Sequence, residues 1–307
     1  MRKIRIGTRE SRLACIQAEI VAGYIRRYCG GYETELIKIV TTGDKILSKK
    51  LDEIGQKGLF VKELDLALKE GTTDLSVHSL KDMPMEVPGE LPIIGFSRRE
   101  DARDVLVLPR GSTEYDYRRP IGCSSNRRIL QLKELYPDAE IRTVRGNVLT
   151  RLQKLDDGEY GALVLAAAGL LRLGLSKRIS RYFSTEEMIP AAGQGILGIQ
   201  GRAGEDYSYL NGFFDREAEI CARCERSFME YLSGGCSIPA GVYAELIDER
   251  RMKVQGLYYD ETAKAVRRMC MTGERSRAEE LGRRLAKDLK EGGPCAVQKG
   301  CGKEVVR

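Results

Sequence analysis

The sequence predicts an α/β protein built on open sheets, with a small α+β domain at its C-terminal end. Three observations carry this. Short apolar strands alternate with amphipathic helices from residue 3 to about 200. The alternation stops near 212, where a long helix, three consecutive strand-like runs and a last helix follow. The 307 residues are enough for two or three domains at roughly 100–150 residues each.

In chain order, period-two or continuous apolar runs predict strands at 3–7, 34–40, 74–77, 91–96, 104–108, 140–144, 162–166 and 196–200, with a short one entering Ser124. In the first helix, 11–28, Leu13, Ile16, Ile20, Tyr24 and Val21, Ile25, Tyr28 form an apolar face at three-to-four spacing. The second, 59–70, turns Phe60, Leu64, Ala67 and Leu68 inward and stops at Gly71. Helices follow at 124–136 and 148–156, the second ending at Asp157-Gly158. The charged run 98–103 marks a domain boundary. Beyond 212, a helix at 215–232 ends at Gly234-Gly235. Strands at 238–247, 252–259 and 264–271 and a helix at 274–290 complete the α+β domain, and 292–307 forms a fraying tail.

Composition narrows the function classes. With 42% hydrophobic and 31% charged residues, the chain has material for ordinary cores. No apolar run approaches the roughly 20 residues that span a bilayer, and the N-terminus has no apolar secretory region. Nine cysteines at irregular spacing do not form a disulfide framework, so free thiols in the cytoplasm are expected. Fifty-one bases against forty-five acids give only +6, which disfavours a nucleic-acid arm. A single histidine argues against His-rich metal sites, and Cys221-Ala222-Arg223-Cys224 falls in a helical pattern without a second pair, so no metal is expected.

Polar residues gather where strands run into helices. After Ile121-Gly122-Cys123, Ser124 and Ser125 offer a cap, and Arg127 and Arg128 fall in the first helical turn, where they oppose the dipole. An anion site and a solvated helix start both explain this. The next strand ends at Arg145-Gly146-Asn147, with Arg151 one turn on. Ligands of open α/β sheets bind at carboxyl ends of strands, and guanidinium forks suit carboxylates. Two such turns favour a substrate with several carboxylates. Ser79, Lys81 and Asp82 lie past another strand end. Asp82 is open to roles as general base, metal ligand or stabiliser of positive charge, or to a simple turn before Pro84. His78 reads as a half-buried, satisfied histidine. Arg9 and Ser11 follow strand 1 in an anion-type turn that lacks the glycine pattern of a nucleotide site. Gln194 sits between Gly193 and Gly195. Cys236, behind Gly234-Gly235, is an unshielded loop thiol or a small buried cysteine at a strand start.

These segments together resemble the porphobilinogen deaminase (hydroxymethylbilane synthase) family. The motifs are Ile6-Gly7-Thr8-Arg9 with Ser11, Thr42-Gly43-Asp44, Lys57-Gly58-Leu59-Phe60-Val61-Lys62-Glu63, and Val77-His78-Ser79-Leu80-Lys81-Asp82-Met83-Pro84. Ser124-Ser125 with Arg127-Arg128, Arg145-Gly146-Asn147 with Arg151, Gly193-Gln194-Gly195 and Gly234-Gly235-Cys236 complete the series. The resemblance implies two α/β domains like type II periplasmic binding proteins: 1–98 with 196–214, and 99–195. A third α+β domain, 215–307, would carry the cofactor cysteine.

The resemblance further implies a transferase. A dipyrromethane cofactor would be bound to Cys236 through a thioether, held by Ser79, Lys81, Asp82, Ser124, Ser125, Arg127, Arg128, Arg145 and Gly146. Porphobilinogen would meet Arg9, Ser11, Lys57, Arg145, Arg151 and Gln194. Four molecules would add in turn, each losing ammonia to give a cationic azafulvene stabilised by Asp82. Water would release hydroxymethylbilane for tetrapyrrole and heme biosynthesis. A monomer is implied, with transient hand-off to uroporphyrinogen-III synthase and no membrane or nucleic-acid partner. Cys123 departs from the family's usual threonine and is expected to bring a second thiol into the cleft; Glu53 stands where some relatives carry a cation. The rival readings are a non-catalytic binding protein, a cysteine hydrolase using Cys236 and His78, and a DNA- or RNA-binding module, which the basic residues at βα turns without an aromatic platform disfavour.

Overall fold

The computed structural model describes residues 2–45, 61–232 and 239–292. By contact density the chain forms two units, 1–100 with 195–219, and 101–194 with 220–307. The first contains β1 (Arg2–Arg9), α1 (Arg12–Tyr28), β2 (Tyr32–Ile39), α2 (Thr42–Lys45), α3 (Lys62–Lys69), β3 (Leu75–Ser79) and β4 (Ile93–Phe96). The second begins with β5 (Asp104–Val107), β6 (Ile121–Gly122), α4 (Asn126–Leu135), β7 (Ile141–Arg142), α5 (Val148–Asp156), β8 (Ala162–Ala166), α6 (Ala167–Arg172) and β9 (Arg181–Tyr182). The chain then returns to the first unit as β10 (Leu197–Gln200). Helix α7 (Arg216–Tyr231) leads to β11 (Ala240–Leu246), β12 (Arg251–Asp260), β13 (Ala265–Glu274) and α8 (Ala278–Glu291).

The first sheet has the order β2-β1-β3-β10-β4 and the second β7-β6-β8-β5-β9. In each, three parallel strands are followed by an antiparallel one, β10 or β5, with which the fifth strand pairs antiparallel. The antiparallel strand is in both cases the first one laid down after the chain changes unit. This is the doubly crossed α/β architecture of type II periplasmic binding proteins, the expected fold class. A three-stranded antiparallel sheet, β11-β12-β13, follows.

Helix α1 shows how the first core forms. Ser11 caps it, its Oγ accepting from the amide of Ala14 at 3.3 Å, and Arg26 and Arg27 occupy the last turn, where a cation suits the dipole. The buried face is Ala14, Gln17, Ala18, Val21, Ala22 and Ile25, packed with Ile4, Ile6, Leu75 and Val77 of the sheet. Of the predicted apolar face, Val21 and Ile25 are buried and Tyr24 packs against the core, whereas Ile20 and Tyr28 are exposed. The alanines, which apolar periodicity underweights, let the helix approach the sheet. In the second unit, one core collects Val105, Val107, Leu163 and Leu165, the other Leu106, Ile121, Leu132 and Phe183. Helix α6 and strand β9 were not foreseen; α6 follows β8 without a turn signal, and β9 is a two-residue strand.

Gly195 shows the one close backbone approach that matters here. Its φ is +91°, and a Cβ there would run into the carbonyl oxygen of Glu100. The amide of Glu100 in turn donates to Gly195 O at 3.0 Å, at the point where the chain re-enters the first unit. Gly195→Ala is expected to cost on the order of 2–3 kcal/mol, read as a lowered urea midpoint with unchanged slope.

Candidate active site

In the first unit, functional side chains collect at the carboxyl edge of the parallel strands. Arg9 ends β1, Ser79 ends β3, and a single 3-10 turn, Leu80–Asp82, carries Lys81 and Asp82. The turn is fixed at both ends: Leu80 N donates to Ile196 O at 3.0 Å and Met83 N to Leu80 O at 3.1 Å. With Leu80 and Met83 buried beneath it, Asp82 is left exposed. Arg9, Ser79 and Asp82 line one open, shallow pocket with Ala14, Gln17, Val61, Val77 and His78. Gln17 of α1 donates to Ser79 Oγ at 2.9 Å, setting the hydroxyl. Gln17 escaped sequence reading; its signal is a polar residue on a buried helix face. Ser11 serves as the α1 cap. Lys57 and Cys236 lie outside the described residues.

His78 differs from its expected state. It is 6% exposed rather than half-buried, and its Nε2 has no hydrogen-bond partner among the described residues. Burial, with the neighbouring charge of Arg9, holds its pKa down to about 4 against a weaker opposing influence from Gln200.

In the second unit the arginines after β6 meet a buried acid. Arg127 Nη1 donates to Asp104 Oδ2 at 2.7 Å, and Arg128 Nη2 to Asp104 Oδ1 at 2.7 Å. Gln194 Nε2 adds a bond to Asp104 Oδ1 at 2.8 Å and one to Ala102 O at 2.6 Å. Arg127 also donates to Ile189 O at 2.7 Å and Arg128 to Val164 O at 3.3 Å. Burial alone would raise the carboxyl of Asp104, but the two guanidiniums hold it well below the usual range. Asp104 was missed; an acid heading the otherwise apolar run Asp104-Val-Leu-Val is the signal that could have found it. This trio explains how two arginines tolerate the first turn of α4, and by itself it keeps one positive charge.

The neighbouring turns are similarly tied. Ser124 Oγ donates to Val144 O at 2.5 Å and accepts from Val144 N at 3.1 Å, so its proton serves the backbone that follows β7. Ser125 caps α4 without a side-chain bond. Gly146 has φ +110°, its carbonyl accepts from Arg151 Nε at 2.7 Å, and Asn147 caps α5. Arg145 and Arg151 are partly exposed beside this turn. Glu225, also missed, is buried on α7 and accepts from Gly193 N at 2.7 Å and Ala244 N at 2.8 Å, anchoring the loop that presents Gln194. Cys123 corrects an expectation: it is 1% exposed in the core with Leu106 and Ile121, not in a cleft. Burial raises its thiol pKa, because a thiolate there would be poorly solvated.

A family model described as porphobilinogen deaminase, dipyromethane cofactor binding domain, matches residues 4–209; one described as porphobilinogen deaminase, C-terminal domain, matches 219–291. The chain is 51% identical over 290 residues to the porphobilinogen deaminase of Acetivibrio thermocellus, covering 94% of this chain and 99% of that protein. Against that of Chromobacterium violaceum, identity is 42% over 304 residues, covering 95% and 96%. Among solved structures, the methionine binding protein MetQ is similar with a TM-score of 0.43 at 14% identity, covering 71% of this chain and 90% of that one.

Two outcomes follow from the buried charges. Asp104→Asn leaves two buried guanidiniums undercompensated and should cost about 3–5 kcal/mol in urea unfolding. For His78, the native ring stays neutral while the unfolded chain binds a proton below about pH 6.5. Its stability contribution is therefore complete above that pH and is lost as pH falls toward 4. Between pH 7 and 4 the loss should be about 3 kcal/mol, and His78→Gln should remove that part of the slope.

Proposed function

The chain belongs to the porphobilinogen deaminase family, and from that premise we propose that it is a transferase that condenses four porphobilinogen molecules, one at a time, onto a dipyrromethane primer on Cys236. Four ammonia molecules leave, and water releases linear hydroxymethylbilane. The observation that carries the catalytic part is the pocket shared by Asp82, Ser79 and Arg9. Its residues fit a pyrrole bearing acetate and propionate: a carboxylate to accept the ring N–H, a guanidinium for an acid group, and apolar walls from Ala14, Val61 and Val77.

When bound, the dipyrromethane supplies the free α-carbon to which each new methylene is joined. Asp82 accepts the pyrrole N–H and faces the positive charge that develops as the substrate's C–N bond breaks, where a fixed anion is most effective. Arg9 and Lys81 bind acid groups of the ring. Ser79, set by Gln17, supplies a hydroxyl. In the second unit Arg145 and Arg151 hold carboxylates. Arg127 and Arg128 add the positive field left over around Asp104, and Ser125 and the Gly146 turn line the same surface. Gln194 supports this surface by holding Asp104, and Ser124 by holding Val144. Ser11 and Lys57 complete the substrate contacts on this reading, and 215–307 forms the cofactor-bearing domain. The enzyme is on the same reading a cytoplasmic monomer that hands its product to uroporphyrinogen-III synthase.

Intact mass tests the assignment. The protein is expected to be heavier than its sequence by about two pyrrole units, and Cys236→Ser should lose the addition and the activity; an unmodified, active protein would overturn the reading. Asp82→Asn should lower kcat by about 10²–10³ while porphobilinogen binding persists. If His78→Ala abolished turnover and Asp82→Asn did not, the cysteine hydrolase would be favoured.

A further inference from the structure

The only histidine of the chain lines the pocket of Asp82. Its setting constrains it. On β3, His78 stands opposite Gly198 of β10, while Gln200 stands opposite Ser76. Gln200 is therefore the diagonal neighbour of His78 on the same sheet face, within reach of a long side chain. Gln200 is 1% exposed, and its Nε2 donates to Leu91 O at 3.0 Å. That bond decides which end of the amide is oxygen. The oxygen, Oε1, is buried without a hydrogen-bond partner among the described residues, and so is His78 Nε2. Buried polar atoms are seldom left unmatched. An amide oxygen can only accept, so matching these two neighbours requires the imidazole proton on Nε2.

We propose that Gln200 holds His78 as the Nε2–H tautomer, leaving Nδ1 as a neutral acceptor for an N–H of the substrate in the Asp82 pocket. The ligand half of this rests on the pocket being the porphobilinogen site; the tautomer half does not. Burial and the charge of Arg9 keep the ring neutral. Asp65 of α3 is a second neighbour of Gln200. Its Oδ1 is buried without a geometric hydrogen-bond partner among the described residues, and burial raises its pKa, outweighing the bond from the Gln200 side chain that lowers it. The amide nitrogen of Gln200 carries two N–H donors, so it can serve Leu91 O and Asp65 while Oε1 is kept for His78. A substrate rich in N–H donors then meets two acceptors of different character, the anionic Asp82 and the neutral His78. Both reject a ring that lacks those donors.

A single histidine makes the test direct. With histidine ¹⁵N-labelled in the full chain, long-range ¹H–¹⁵N correlation reports one imidazole. The expected spectrum is that of the Nε2–H tautomer, unchanged between pH 5.5 and 8. An Nδ1–H tautomer, or titration at the ordinary histidine pKa, would overturn the proposal. Gln200→Leu should introduce the Nδ1–H form; an unaltered tautomer there would remove Gln200 from the argument and overturn it. Porphobilinogen added to slow Asp82→Asn holoprotein should move the Nδ1 resonance; a fixed resonance in protein that demonstrably binds porphobilinogen overturns the acceptor role. In kinetics, His78→Leu should raise KM about tenfold with kcat within about threefold, and His78→Asn should recover part of the loss. The labelled spectrum of the free chain and the intact mass fail independently, so this inference and the functional reading are separable.

Discussion

The second unit is organised around one buried carboxylate. Asp104 neutralises Arg127 and Arg128, takes a bond from Gln194, and through these partners reaches the carbonyls of Ile189 and Val164. Strand β5, helix α4, strand β8 and the loop before β10 thus share one polar centre inside apolar surroundings. Such a centre is costly to desolvate and costly to break. It is also directional, and that is its use: hydrophobic packing would let α4 slide, whereas forked bonds to one carboxylate fix its register and aim its N-terminal turn. Glu225 repeats the device one residue before Gln194, holding Gly193 and, on β11, Ala244.

Two kinds of polar residue therefore coexist at the strand ends. Ser124, Gln194 and Asp104 bond inward and build the platform. Asp82, Ser79, Arg145 and Arg151 are at least partly open and stand on it. The first unit uses the same scheme more sparingly, with a 3-10 turn pinned at Leu80 and Met83 and a glutamine holding Ser79.

Much of this was legible in the sequence, for identifiable reasons. Helices at 148–156 and 216–231 and strands at 162–166 and 197–200 follow strong periodicity and clear stops, and they lie where spacing puts them. The cluster of Ser79, Lys81 and Asp82 beyond a strand end was readable because residue type and position agree. What stayed hidden is pairing. Nothing local to Arg127 says that its partner lies 23 residues earlier, and nothing at His78 names Gln200. In α1, apolar spacing picked out Val21 and Ile25 but also the exposed Ile20 and Tyr28, and it passed over the alanines that share the buried face. Cys123 was misjudged by comparison with a polar relative, although its neighbours Ile121 and Gly122 already belong to a buried strand.

The doubly crossed sheets also bear on how the chain emerges from a ribosome. When the first hundred residues are complete, β3 and β4 exist but the strand that belongs between them, β10, does not. The nascent sheet then carries a gap, with two unpaired edges flanking it, until residues 197–200 arrive. Open edges invite foreign strands, and contacts of such long sequence separation close slowly. The second unit is free of this problem, since β5 precedes β6 and β8. The later-made unit can finish its sheet first, so the N-terminal half waits for it, and that interval is when this chain most needs protection from aggregation.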